Sequence, residues 1–164
     1  MVVLDAALAA LPIGEAELGL PATWRIGPAL RPPSDESYVA ASFTPAGVGL
    51  RPFSVVHVEQ PWRTAREPGD LVIRWARRSR SLAADGWDGV PLAEESEAYD
   101  VEILDGSGVV RTLESTAPRV TYSAAEQIAD LGALLGPGDT LDLRIFQLSA
   151  LVGRGTPAPV TLQL

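Results

Sequence analysis

The sequence is poor in several reactive residue types. Its 164 residues include no cysteine, no lysine and a single histidine. Without cysteine, disulfides, thiolate nucleophiles and thiolate-based zinc sites are excluded, and a histidine-based dyad has only His57 as its base. The apolar start, MVVLDAALAALP, is interrupted by Asp5 and Pro12, so it is too short to span a bilayer. We therefore expect no membrane span, and a core strand rather than a leader peptide in this segment.

Positive charge is also scarce. The chain has 21 acidic and 13 basic residues, a formal charge of −8 and a pI near 4.6. Because the phosphates of nucleic acids bind basic surfaces, we expect no nucleic acid partner. Hydrophobic residues make up 46% of the chain, enough for a sandwich of about 100 residues to fold without metals or disulfides. The length predicts one domain of ordinary size and a smaller piece.

Strand-like alternation of apolar and polar residues is clearest in residues 53–164. A period of two is typical of a strand with one buried face. The turn sequence Asp105-Gly106-Ser107-Gly108 predicts a hairpin. Three segments carry the clearest alternation, with inward-facing residues expected at Leu71, Ile73 and Trp75, at Tyr99, Val101 and Ile103, and at Leu141, Leu143 and Ile145.

One short helix is predicted between the segments that contain Ile103 and Leu141. Ser123 lies three residues before Glu126, the spacing of a capping box, and Ile128, Leu131 and Leu135 recur at helical intervals. The helix would occupy about residues 124–135 and end at the glycines and proline of 136–138. Residues 1–52, by contrast, carry short strand-like runs separated by proline and glycine. We therefore expect an irregular β-rich segment there and a boundary near Pro52.

Residues 53–164 resemble a fibronectin type III domain. Leu71-x-Ile73-x-Trp75 is similar to the second strand of that family with its core tryptophan, and Tyr99-x-Val101-x-Ile103 to the third. The resemblance implies an all-β fold: a fibronectin type III-like β-sandwich with one short helix, preceded by a smaller irregular β-rich segment. Leu141 stands where the family has its corner tyrosine, so we do not expect the hydrogen bond of a tyrosine corner.

A second resemblance extends over nearly the whole chain. The segments WRIGP at 24–28, GVGLRP at 47–52 and EESEAYDVEI at 94–103 follow one another in order. Together they are similar to the C-terminal region of the tail-tip hub, or host-specificity, proteins of gene transfer agents and related long-tailed bacteriophages. In that family the region follows a larger body that includes a barrel similar to glycoside hydrolases. The resemblance implies that residues 1–52 end a preceding tail-protein domain and that the chain is a fragment of a baseplate hub.

The tail-tip resemblance implies a non-enzymatic virion component that serves assembly or host-surface adhesion. Its partners would be other tail-tip subunits, as a homotrimer in the full-length protein, and a host cell-surface glycan. It would be assembled in the bacterial cytoplasm and then act outside the cell, at the tail tip of the particle. No catalytic residue, metal or cofactor is implied. The alternatives are a carbohydrate-binding accessory domain and a glycoside hydrolase that uses carboxylates.

The densest local charge is acidic, since the stretch between Ser81 and Val110 holds eight acids and no basic residue. Converging carboxylates are what Ca²⁺ binding and glycoside hydrolysis require. The simpler interpretation is a solvated loop and strand face that pairs with the arginines of residues 74–80. Those arginines could instead hold phosphate or another polyanion. The eight acids are Asp85, Asp88, Glu94, Glu95, Glu97, Asp100, Glu102 and Asp105.

Two single residues stand out as binding or catalytic candidates. Trp87 lies in a polar loop beside Asp88 and could stack on a sugar or anchor a protein contact, unless it folds back onto the sandwich. His57 is expected to be a packed or edge residue, because no nucleophile elbow or HExxH pattern accompanies it. The candidate residues for ligand or partner binding are Trp87, Asp85, Asp88, Glu94 and Glu95.

Overall fold

Two units make up the chain in the computed structural model, residues 1–49 and residues 50–164. The structure describes residues 12–59, 69–81 and 90–164. In the first unit, β1 (Ala22–Ile26) pairs antiparallel with β2 (Val39–Phe43). One turn of 3-10 helix precedes them at Glu15–Glu17, and another follows at Val48–Leu50.

The connection between β1 and β2 is fixed by Tyr38. Its hydroxyl donates to the carbonyl oxygens of Pro28, at 3.0 Å, and Arg31, at 3.1 Å. The Tyr38 ring lies so close to Gly27 that a Cβ there would come within 2.5 Å of it. A glycine is therefore needed at the end of β1 for the connection to fold back.

In its described residues, the second unit is built from two antiparallel sheets. One sheet has three strands in the order β3-β4-β7, and the other has four in the order β10-β8-β5-β6, with the short β9 pairing with the end of β8. This is a fibronectin type III-like β-sandwich with one short helix, as the sequence predicts. The strands are β3 (Val56–Glu59), β4 (Leu71–Ala76), β5 (Tyr99–Asp105), β6 (Gly108–Ser115), β7 (Arg119–Tyr122), β8 (Thr140–Ser149), β9 (Gly153–Arg154) and β10 (Ala158–Gln163).

The core of the sandwich consists of the inward-facing residues of both sheets. The alternation predicted for β4, β5 and β8 is confirmed, since all nine apolar residues expected to face inward are buried. Burying one large apolar side chain contributes about 1.5–3 kcal/mol. Between the sheets, the rings of Trp75 and Tyr99 meet edge to face with centroids 5.0 Å apart. The nine residues are Leu71, Ile73, Trp75, Tyr99, Val101, Ile103, Leu141, Leu143 and Ile145.

A bulge in β3 lets two valines three residues apart contact the same core. Val56 pairs with Ala76 and Glu59 with Arg74, so β3 has one residue more than β4 over this interval. His57 has a φ of 51°, in the left-handed region that non-glycine residues rarely adopt. As a result both Val55 and Val58 pack on the core, while His57 is exposed.

The helix, α1 (Ala124–Leu131), begins as expected but ends early. The Ser123 and Glu126 side chains form the predicted capping box. Gly132 adopts the left-handed conformation with φ 78° and ends the helix. The prediction that the helix continues to Leu135 is wrong, because the Leu135 N–H donates to the side chain of Gln127 instead. No helix in the described ranges is long and apolar enough to cross a membrane.

Gln127 of α1 holds the connection between β7 and β8. The side chain is fully buried. Its Nε2 donates to the carbonyl oxygens of Gly69 at 2.9 Å and Tyr122 at 2.8 Å, and its Oε1 accepts from the Leu135 N–H at 3.2 Å. Leu141, at the place of the missing tyrosine, is buried in the core. The buried Gln127 amide therefore ties both sides of α1 to Gly69, which lies just before β4.

An ionic cluster joins α1 to the edge of the four-stranded sheet. Arg111 of β6 binds Asp130 through Nε at 2.5 Å and Nη2 at 2.9 Å, and lies 3.3 Å from Glu126. Tyr122 donates to the same Asp130 carboxylate at 3.0 Å. The Arg111 side chain lowers the pKa of Asp130, and hydrogen bonds from Ser123 lower that of Glu126. The cluster links the two sheets at this side of the sandwich.

Candidate interaction surface

The acidic candidates divide into residues that the structure describes and residues that it does not. Asp85, Trp87 and Asp88 lie outside the described residues. Glu94 and Glu95 lie in the segment that leads into β5. Their surroundings therefore decide what the acidic stretch offers to a ligand.

Glu94 and its neighbour Glu97 pair with arginines at the end of β4. Arg80 lies 2.7 Å from Glu94, whose side chain is only 3% exposed. Arg77 lies 2.9 Å from Glu97, which also accepts a hydrogen bond from the Tyr99 hydroxyl at 2.8 Å. The predicted pairing with the arginines of residues 74–80 is confirmed for these two acids. The Glu94 carboxylate forms an internal ion pair and is therefore not open to a metal or a sugar.

Glu95 binds a different part of the fold, the backbone just after β8. Its Oε2 accepts from the Ala150 N–H at 3.1 Å. Hydrogen bonds from its own backbone and from Ala150 lower its pKa, so the carboxylate stays charged. Glu94 and Glu95 thus bind different partners and do not form a converging pair. Within the described ranges, no group of three or more histidine or acidic side chains is placed to hold a metal ion.

The acids of β5 pair with arginines that the sequence analysis did not connect to them. Arg154 of β9 contacts Asp100 at 2.7 Å and Glu102 at 2.6 Å, and Arg144 of β8 contacts Glu102 at 2.7 Å. The Arg154 guanidinium also lies 4.7 Å from the centroid of the Phe146 ring. Hydrogen bonds to Glu102 and Asp100 raise the pKa of Arg154, so it remains protonated. The prediction that Asp100 and Glu102 pair with residues 74–80 is wrong.

Asp105, the last of the eight acids, shapes a turn. Its Oδ1 accepts from the Ser107 N–H at 2.7 Å, the Ser107 hydroxyl at 2.6 Å and the Gly108 N–H at 3.0 Å. Hydrogen bonds from Ser107 lower its pKa. All six described acids of the stretch are therefore engaged within the fold.

The first unit presents a different kind of surface. The register of β1 and β2 pairs Ala22 with Phe43, Trp24 with Ala41 and Ile26 with Val39. Because residues directly opposite each other in an antiparallel pair share a face, all six apolar side chains lie on one side of this two-stranded sheet. The other side carries Thr23, Ser42, Arg25 and Ala40.

Three residues of this apolar face are largely exposed. Ile26 is 63% exposed, Val39 is 68% exposed and Phe43 is 53% exposed. Two strands alone are marginally stable in water and gain stability when a third element packs on their apolar face. The other three residues, Ala22, Trp24 and Ala41, are half-buried. Exposed apolar patches are also a common signature of a protein contact. We name the six residues Ala22, Trp24, Ile26, Val39, Ala41 and Phe43 the β1–β2 apolar face.

No protein-family model matches the sequence, and no curated protein sequence is significantly similar to it. Among solved structures, domains d3-d4 of the rat CD45 extracellular region align with 98% of this chain and 72% of that chain, at 9% identity and a TM-score of 0.45. The fibronectin type III domain of human fibronectin type III domain containing protein 3 aligns with 69% of this chain and 87% of that one, at 12% identity and a TM-score of 0.41. The Clostridium perfringens spore cortex lytic enzyme SleM aligns with 87% of this chain and 38% of that chain, at 11% identity and a TM-score of 0.39.

Proposed function

We propose that this chain is a non-enzymatic structural and interaction module of the tail tip of a phage-like particle. The β1–β2 apolar face is the observation that supports an interaction role. Of its three exposed residues, Ile26 and Val39 pair directly at one end of the sheet and Phe43 lies at the other end. The sheet has only two strands among the described residues. An apolar face of this kind is stabilised by a partner of the same character.

The proposed occupant of the β1–β2 apolar face is another subunit of the tail tip. The face carries no charged side chain, so a hydrophobic protein surface complements it better than a polar glycan does. The setting itself is inferred from the sequence similarity of segments 24–28, 47–52 and 94–103 to tail-tip hub proteins. In that setting the sandwich serves as a rigid support, and the module acts in the assembled particle outside the cell.

The engagement of the described acids agrees with a role that is not hydrolytic. A glycoside hydrolase needs two carboxyl groups that face each other across the substrate. Glu94 instead binds Arg80, and Glu95 binds the backbone of Ala150. The carbohydrate-binding alternative depends on Trp87, which lies outside the described residues.

Antibody labelling of purified particles tests the proposed location. Particles from the bacterium that encodes the chain would be labelled with gold-coupled antibody raised against residues 50–164 and viewed by electron microscopy. We expect gold at the tail tip, and no gold on particles from a strain that lacks the gene. Labelled cells with unlabelled, intact particles would overturn the proposal.

A further inference from the structure

Two arginines face each other directly on the outer surface of the three-stranded sheet. The register of β4 and β7 pairs Arg74 with Arg119. Opposite residues in an antiparallel pair have Cβ atoms about 4.5–5.5 Å apart, and like charges placed so are destabilising. Both side chains are exposed. The sheet therefore carries two positively charged side chains at directly opposite positions.

No ion pair joins Arg74 or Arg119 to an acid within the described part of the chain. Glu59 of β3 is opposite Arg74 in the register, so it offsets the charge of that arginine only in part. Most other described arginines contact an acidic side chain or an aromatic ring. Acids bind Arg31, Arg77, Arg80, Arg111, Arg144 and Arg154, and rings bind Arg25 and Arg78.

The pair lies in a groove beside the bulge of β3. The groove has a volume of about 350 Å³, and its lining includes His57, both arginines and the acidic residue Glu59. The left-handed φ of His57 places this side chain outside the regular alternation of the strand, and bulges commonly redirect a side chain at a binding site. The two arginines and His57 thus border one shallow groove, together with the single carboxylate of Glu59.

We propose that Arg74 and Arg119, with His57 beside them, bind a multivalent oxyanion in this groove. Guanidinium groups bind phosphate and carboxylate oxygens through paired N–H donors, and two adjacent guanidiniums fit a ligand with more than one anionic group. Such a ligand removes the repulsion between the arginines, so binding and sheet stability are coupled. The site lies within residues 50–164 and does not depend on the β1–β2 apolar face.

Thermal unfolding of the full chain with tripolyphosphate tests the proposal. A ligand that binds only the folded state raises the Tm, and sodium chloride at equal ionic strength controls for screening. We expect tripolyphosphate to raise the Tm of the wild type and not that of Arg74→Gln/Arg119→Gln. Arg51→Gln, which removes another exposed arginine, should respond as the wild type does. An equal rise in the double variant and the wild type would overturn the site.

The stability of Arg119→Gln distinguishes a binding arginine from one with a purely structural role. Without added anion and at low salt, Arg119→Gln should raise the Tm, because it removes the repulsion from Arg74. The same variant should weaken tripolyphosphate binding roughly tenfold or more, since a hydrogen bond to a charged group is lost. A lower Tm in Arg119→Gln at low salt would contradict the proposed coupling.

The single histidine offers a direct spectroscopic probe of the groove. Because the chain contains one histidine, the imidazole signals of His57 in an NMR spectrum need no assignment. They should shift with tripolyphosphate in the wild type and stay fixed in Arg74→Gln/Arg119→Gln. A parallel titration with citrate separates the two sources of oxyanion: a response to tripolyphosphate alone indicates a phosphate ligand, and equal responses indicate a polycarboxylate as well. Fixed signals in both titrations would overturn the proposal.

Discussion

Both units of this chain contain strands in which apolar and polar residues alternate, but the two units differ in how well the apolar side chains are buried. In the sandwich, Leu143 and Ile145 of β8 alternate with polar residues and are buried against the opposite sheet. In the first unit, Trp24 and Ile26 of β1 alternate with polar residues, yet Ile26 is 63% exposed. Alternation predicts which side chains share a face, but it does not supply the element that covers that face. The difference locates the surface that is available for a partner.

Matched isoleucine substitutions should give the largest difference between the units. Ile145→Ala removes a fully buried side chain and should lower the free energy of unfolding by about 2–5 kcal/mol. Ile26→Ala removes a largely exposed one and should change it by less than about 0.5 kcal/mol. Urea denaturation followed by circular dichroism measures both. If Ile26→Ala costs as much as Ile145→Ala, the β1–β2 apolar face is covered within the chain.

A buried polar tether should matter nearly as much as the apolar core. Gln127→Ala removes the partner of the buried Leu135 N–H, and a buried unsatisfied group costs about 1–3 kcal/mol. Ile128→Ala, at the next and half-exposed position of α1, serves as the control and should cost far less. Urea midpoints compare the two variants. Equal midpoints would show that Gln127 does not hold the connection.

The ionic cluster around Arg111 should make the sandwich sensitive to acid. The pKa values of Asp130 and Glu126 in the folded chain lie below their ordinary values of 3.8 and 4.5. The stabilisation is therefore present above those ordinary values and is lost as the pH falls through the lowered pKa values. The Tm of the wild type should decrease from pH 5 downwards, and that of Arg111→Gln should decrease less steeply. Parallel Tm profiles for the two proteins would contradict this assignment.

The smallest expected effect on stability concerns Trp87. If this residue binds envelope glycan, Trp87→Ala should lose the affinity and keep the Tm of the wild type. Tryptophan fluorescence titrated with host cell-envelope polysaccharide, and separately with Ca²⁺, measures the binding. A response that survives in Trp87→Ala would remove this residue from the candidates for ligand binding.

Local sequence patterns predicted much of the sandwich because the information lies within a few residues. Alternation in β4, β5 and β8 identified their buried faces, and the spacing of Ser123 and Glu126 identified the start of α1. The predicted end of α1 is wrong because Gly132 adopts a left-handed conformation, which permits the chain to leave the helix before Leu135. Apolar spacing alone does not register such a stop.

Contacts between distant segments could not be predicted from local sequence patterns. Glu102 and Arg154 are separated by 52 residues, and they meet because β9 folds back onto the end of β8. The β1–β2 apolar face depends on the register that pairs Ile26 with Val39, which no local motif specifies. The facing arginines Arg74 and Arg119 likewise become neighbours only through the pairing of β4 with β7.

The most direct test of the account is whether the β1–β2 apolar face is needed for incorporation into particles. Wild type, Val39→Ser/Phe43→Ser and the control Leu151→Ser, which alters an exposed residue of the sandwich, would be expressed in the particle-producing bacterium. Mass spectrometry of purified particles then quantifies the chain. We expect normal amounts of wild type and Leu151→Ser and strong depletion of the double variant with an unchanged Tm. Incorporation of the double variant at the wild-type level would contradict it.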